Sequence, residues 1–272
     1  MVAPKQIQMR TVDRFPVLSV ALLTFGSFNI ALGDSIDEAL NRFHIENMMG
    51  QITSDISSEV SSSHSSKSEK KTKVKDRAKV HERSDRSSGS ERSSDKGSSL
   101  TYTPSAAVTA KVHAEWIESL GAHPKEINVQ AAEEEFAGNS ALKRFEARFS
   151  RYGFSDHNTA DSFAGLTIAA WETINDQNAS AHPAGIRQFR ARANEVMAKG
   201  YTGTSDALKQ HDSEYYKVLA MVYTDAANWQ KSHNNANAAT FEAFKNSIRQ
   251  RFLKLGVDLK RVQLTDTGFK IS

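Results

Sequence analysis

The sequence predicts an all-α fold: a helical bundle of about six or seven helices with a small terminal β-hairpin, preceded by a disordered linker. Three observations predict it. Between residues 100 and 272 apolar residues recur every three or four positions in run after run, and each run has a plausible stop. Between residues 53 and 99 apolar residues nearly vanish, and serine and charge replace them. At the C-terminus the period changes to two, with Val262 and Leu264 on one side of a Thr265–Gly268 turn and Phe269 and Ile271 on the other.

The chain opens with Lys5, Arg10 and Arg14, then an apolar run from Phe15 to Leu32 with the small residues Ala31 and Gly33 at its end. That is the pattern of a secretory signal, with Asp34 as the first mature residue. An uncleaved anchor is the rival reading. A span needs about 20 strongly apolar residues, and here Ser19, Thr24, Ser27 and Asn29 dilute the run. Residues 1–33 are therefore read as a signal peptide. Residues 34–52 follow as a short amphipathic helix, with Ile36, Leu40 and Phe43 on one face and Ser35 and Glu38 spaced as a capping box. Residues 53–99 form a Ser/Lys/Arg-rich tether. Such a segment cannot bury enough apolar surface to offset its ordering entropy.

The helical domain, residues 100–272, begins with Thr103-Pro104, read as an N-cap and first helical position. Val108, Val112, Trp116 and Leu120 give the first stripe. A second helix spans 128–136. A third carries Leu142, Phe145 and Phe149, and a fourth Phe163, Ala170, Trp171 and Ile174. The fifth starts at Pro183 and stops at Gly200. The sixth is long, from Leu208 through Tyr215 and Val222 to Trp229, and the seventh runs from Phe241 to Leu255. The hairpin is expected to pair with the 100–103 lead-in.

Composition narrows the chemistry. There are no cysteines, so disulfides, thiolate metal sites and a lipid anchor on an N-terminal Cys are excluded. Net charge is +3, unevenly placed. Residues 67–96 hold 11 Lys/Arg against 6 Asp/Glu, whereas residues 100–272 hold 20 against 19. The domain is nearly neutral, which argues against a nucleic-acid partner. A membrane contact is expected only through an uncleaved signal segment or the basic tether. A protein or envelope partner fits better.

The densest polar cluster is Ser155-Asp156-His157-Asn158-Thr159-Ala160-Asp161. On a helix His157 and Asp161 would share a face. No third ligand is identifiable, so neither a metal nor another cofactor is expected. Helix capping explains the same residues more simply. Were the chain an enzyme, an envelope-polymer hydrolase is the expected class, with Asp156, His157 and Asp161 meeting Glu172 or Glu214 in one cleft. The second polar cluster, His211-Asp212-Ser213-Glu214, reads as a solvated helix face. Trp171, Tyr215, Trp229 and Tyr223 read as core, with a ligand groove as the alternative.

Leu100-Thr101-Tyr102-Thr103-Pro104-Ser105, Gly153-Phe154 and Asn158-Thr159-Ala160-Asp161-Ser162, behind a signal and a polar linker, resemble a family of exported bacterial proteins with a domain of unknown function. The resemblance covers roughly residues 100–200. It implies a periplasmic or secreted setting and supplies no catalytic residue. The expected protein is a non-enzymatic helical interaction domain on a flexible tether.

Overall fold

A computed structural model describes residues 100–121, 129–233 and 238–271. The segments expected to be a signal peptide (1–33), a short helix (34–52) and a tether (53–99) lie outside the described residues, as do 122–128, 234–237 and 272. Those described form seven α-helices: α1 (Ala106–Gly121), α2 (Val129–Ala137), α3 (Ser140–Phe149), α4 (Thr159–Asn175), α5 (Pro183–Gly200), α6 (Asp206–Ser232) and α7 (Ala238–Lys254). A hairpin of β1 (Val262–Thr265) and β2 (Gly268–Ile271) closes the domain, paired antiparallel with Val262 opposite Ile271.

The bundle is organised around α4. The sequence predicts one apolar stripe there, but every residue from Thr159 to Trp171 is buried. Small residues allow this: Ala, Gly, Ser and Thr fill most positions, so neighbours can approach on all sides. At Gly165 a methyl group would sit 2.4 Å from the Phe145 ring of α3. Helix α6 runs parallel to α4, as three contacts along their length show. The Thr159 hydroxyl donates to the Lys209 carbonyl (3.0 Å), Ser162 Oγ meets Ser213 Oγ (2.6 Å), and the Thr173 hydroxyl reaches the Tyr223 carbonyl (3.3 Å).

Local chemistry sets the ends. Asn158 caps α4 by accepting from the Asp161 N–H (3.1 Å), and Ser205 caps α6 by accepting from Leu208 (3.3 Å). Pro183 occupies the first turn of α5. The other helices pack outward from this pair. Trp116 of α1 stacks on Tyr215 (4.9 Å), and Phe244 of α7 meets Tyr223 edge-on (5.8 Å).

Three expectations are corrected. The lead-in does not pair with the hairpin. Thr101 instead bridges antiparallel to Asn158, the Tyr102 N–H donates to the His157 carbonyl (3.2 Å), and Leu100 accepts from Thr159 (3.1 Å). The hairpin packs on α5 and α4, through Phe269 against Phe189 (4.7 Å) and Trp171 (5.7 Å). Helix α1 begins at Ala106 rather than Pro104, because the Thr103 and Ser105 N–H groups donate across to Asp206 and Gln210 of α6. Leu100–Ser105 is thus a strap across the N-terminal ends of α4 and α6.

Third, the His211–Glu214 stretch is not a solvated face. His211 is 7% exposed, Asp212 0% and Glu214 6%. The N-terminal half of α6 is covered by α1, α3, α4 and the strap, so its polar groups bond internally. Glu214 accepts from Gln210 (2.7 Å) and from the Thr109 hydroxyl (2.8 Å). Lys217 donates to the Asp156 carbonyl, faces Glu146 at 3.7 Å, and has its pKa lowered chiefly by burial.

His211 sits between two carboxylates, with Nδ1 3.3 Å from Asp212 and Nε2 2.7 Å from Glu115 of α1. Both contacts are hydrogen bonds only when the ring is an imidazolium. The Asp212 bond, with Glu115 behind it, raises the His211 pKa above 6.5 against the opposing effect of burial. A raised folded-state pKa gives stability that is complete below the unfolded value and is lost as pH rises through the folded one. His113, lowered by burial, acts with the opposite sign. Comparing wild type with His211→Gln isolates the first effect. Urea midpoints near pH 5.5 and pH 8.5 should show a larger deficit for the variant at the lower pH. An equal deficit at both would mean that His211 carries no charge in the fold.

Candidate functional site

An open concave surface among the described residues lies at the C-terminal ends of α3, α4 and α6. The periodicity of each helix buries its apolar stripe and leaves its last polar turn at the rim. A hollow of about 330 Å³ is lined there by Arg148, Glu172, Thr173, Gln177, Asn178, Thr224, Ala227, Asn228 and Lys231. A second, of about 160 Å³, shares Arg148, Glu172 and Asn178 with it and continues past Arg151 and Tyr152 toward Ile186 of α5. Together they form one groove.

Its centre is an ion pair. The Arg148 guanidinium donates to the Glu172 carboxylate and to the Thr224 hydroxyl, and lies over the Phe149 ring (5.0 Å). The other Glu172 oxygen accepts from the Ala179 N–H (2.8 Å), which ties the loop after α4 to the pair. Asn178 Oδ1 accepts from Ser180 (2.9 Å). The Thr173 and Thr224 hydroxyls donate to the carbonyls of Ala169 and Ala220 (both 2.8 Å) within their helices. Arg151 stacks over Tyr152 (4.8 Å). Gln177, Asn228 and Lys231 are exposed and make no side-chain hydrogen bond among the described residues.

Of the residues singled out in the sequence, Glu172 lies in this groove and the rest lie elsewhere. Asp161 is 0% exposed near the other end of α4, about 16 Å of helix rise from Glu172. It accepts from Arg190 Nε (2.8 Å) and Nη2 (2.9 Å), Asn194 (2.6 Å) and the Ser155 N–H (2.6 Å). His157 precedes the first turn of α4 and is exposed, its ring edge-on to Tyr102 (5.6 Å). It shares no helix face with Asp161. Asp156 is exposed, and its carbonyl accepts from Tyr102 (3.1 Å) as well as Lys217. Glu214 bonds to α1. Trp171 is buried and donates to the Val262 carbonyl (2.7 Å). Tyr215 is buried against Trp116, and half-buried Trp229 stacks on His233 (4.2 Å). No group of three or more His, Asp or Glu that could hold a metal ion occurs among the described residues. No helix among them is long and apolar enough to cross a membrane.

Sequence reasoning missed Arg148, Gln177, Thr224 and Asn228. Arg148 and Glu172 are separated by 24 positions, and their meeting is purely tertiary. Only the accumulation of polar residues at the ends of α3, α4 and α6 could have pointed to them.

No curated protein matches the chain, and no solved structure does. A family model described as "Family of unknown function (DUF6683)" matches residues 17–272, well beyond the stretch that carried the resemblance. The chain therefore belongs to this family of unknown function, DUF6683.

Proposed function

We propose that this is an exported, periplasmic or secreted protein whose helical domain is a non-catalytic binding module on a polar tether, with the Arg148–Glu172 groove as its binding surface. One observation carries the reading: Gln177, Asn228 and Lys231 are exposed in the groove and unspent, while the buried acid Asp161 is taken up by internal partners. Hydrolysis of a glycosidic polymer ordinarily takes two carboxylates flanking the bond. Glu172 is the one carboxylate lining either hollow, and it is held by Arg148 and Ala179. Export rests on the 1–33 pattern, and the tether on the composition of residues 53–99.

The test uses the full chain, tagged at its C-terminus and expressed in a bacterium. The protein should leave the cytoplasm with Asp34 as its first residue. It should co-sediment with the envelope fraction, remain there when residues 53–99 are deleted, and be released by Asn228→Arg with Gln177→Arg. Cytoplasmic retention with an intact N-terminus would sink the export reading. Sedimentation indifferent to the groove variants would sink the groove.

A further inference from the structure

We propose that the groove is a carbohydrate-binding site that takes a glycan chain by its hydroxyl groups, a proposal that rests on reading the domain as a binding module. The unspent groups point to this class. Gln177 and Asn228 each offer an amide with donors and an acceptor, and Asn178 keeps its two amide donors, since only its oxygen is bonded. A sugar hydroxyl is donor and acceptor at once, so adjacent hydroxyls pair with planar amides at both ends. At the centre the Arg148 guanidinium and the Glu172 carboxylate lie side by side, presenting donor and acceptor next to each other. The volume of the larger hollow, about 330 Å³, falls within the range of small-molecule sites, and the smaller hollow extends it so that more than one ring can follow.

Other ligand classes fit less well. Arg148 and Lys231 sit in the last turns of α3 and α6, where they first offset the negative carbonyl ends of those helices, and Arg148 is matched by Glu172. Among the described residues Arg151 and Lys231 are the groove's unmatched cations, so a salt comparison separates charge-driven binding from hydroxyl recognition. Single-stranded nucleic acid is held by stacking on open aromatic faces, whereas Phe149 is 1% exposed and Tyr152 6%, with Arg151 over its ring. Peptides need a sheet edge or apolar anchor pockets; the larger hollow has Ala227 as its apolar side chain, and the apolar residues of the smaller one, Phe149, Tyr152, Ile168 and Ile186, are buried.

The experiment is titration of the full chain with cellohexaose, maltohexaose, chitohexaose and an oligogalacturonate, with poly-glutamate and single-stranded DNA as controls. Calorimetry at about 0.05 M and 0.5 M salt separates hydrogen bonding from charge, because screening acts on the latter. At least one glycan should bind at both salt levels, and Asn228→Ala and Gln177→Ala should each weaken it by about fivefold. Both side chains are exposed and unengaged, so these variants keep the fold. The proposal is overturned if no glycan binds, if binding vanishes at high salt, if a control binds as well as the best glycan, or if the variants change nothing. Should glycans fail while envelope sedimentation still depends on Asn228, the binding module stands and the ligand class falls.

Discussion

Arg190→Ala is expected to cost the domain about 3 kcal/mol, because it strands the Asp161 carboxylate inside the bundle. Asp161 is fully buried, and Arg190 supplies the positive charge through two hydrogen bonds. Breaking a buried pair from one side typically costs about 3–5 kcal/mol. The lower end applies, since the Arg190 side chain is 30% exposed and Asn194 and the Ser155 N–H still donate to the acid. For a domain of this size that corresponds to a fall in Tm of about 10 °C. Asn194→Ala, which removes one donor from a charged acceptor, should cost about half as much. Urea unfolding of the two variants checks both figures. An Arg190→Ala loss below about 1 kcal/mol would mean that the acid does not depend on Arg190 for its charge balance.

Gly185→Ala should lower stability by about 2–3 kcal/mol, although alanine is the better helix former by about 1 kcal/mol. A methyl at Gly185 would stand 1.8 Å from the Thr265 carbonyl oxygen and 2.9 Å from its carbon. Both atoms belong to the backbone, so the hairpin itself must back away from α5. The Trp171 indole N–H, bonded to Val262 at the start of β1, reports that movement directly. Its proton resonance should shift in the variant, while those of Trp116 and Trp229 stay in place. A stability gain would show that the hairpin yields at no cost.

These two sites also mark where sequence reading succeeds and where it stops. The seven helices and the hairpin follow from periodicity and stop signals, because each stripe is a local property of its own segment. Asn158 was recognisable as a capping residue for the same reason. The fate of His211, Asp212 and Glu214 was not legible. Charge on a helix ordinarily means solvent, and only the crossing of α1 and the strap over α6 reverses that here. The partner of the lead-in was not legible because extended residues carry no label for their partner, and Thr101 pairs with Asn158 rather than with the hairpin. Of the candidate site residues, Glu172 alone lies in the groove. An ion pair spanning two helices leaves no periodic trace in either.

The parallel run of α4 and α6 has a geometric outcome. The strap crosses their N-terminal ends, at Thr159, Asp206 and Gln210, while the groove opens where they finish, at Glu172, Thr224 and Lys231. From Gln210 to Lys231 the helix rises by about 30 Å. Leu100 and the strap thus lie at one pole of the domain and the groove at the other. Under the proposed binding role, a ligand in the groove would lie clear of the strap and of the chain's entry at Leu100.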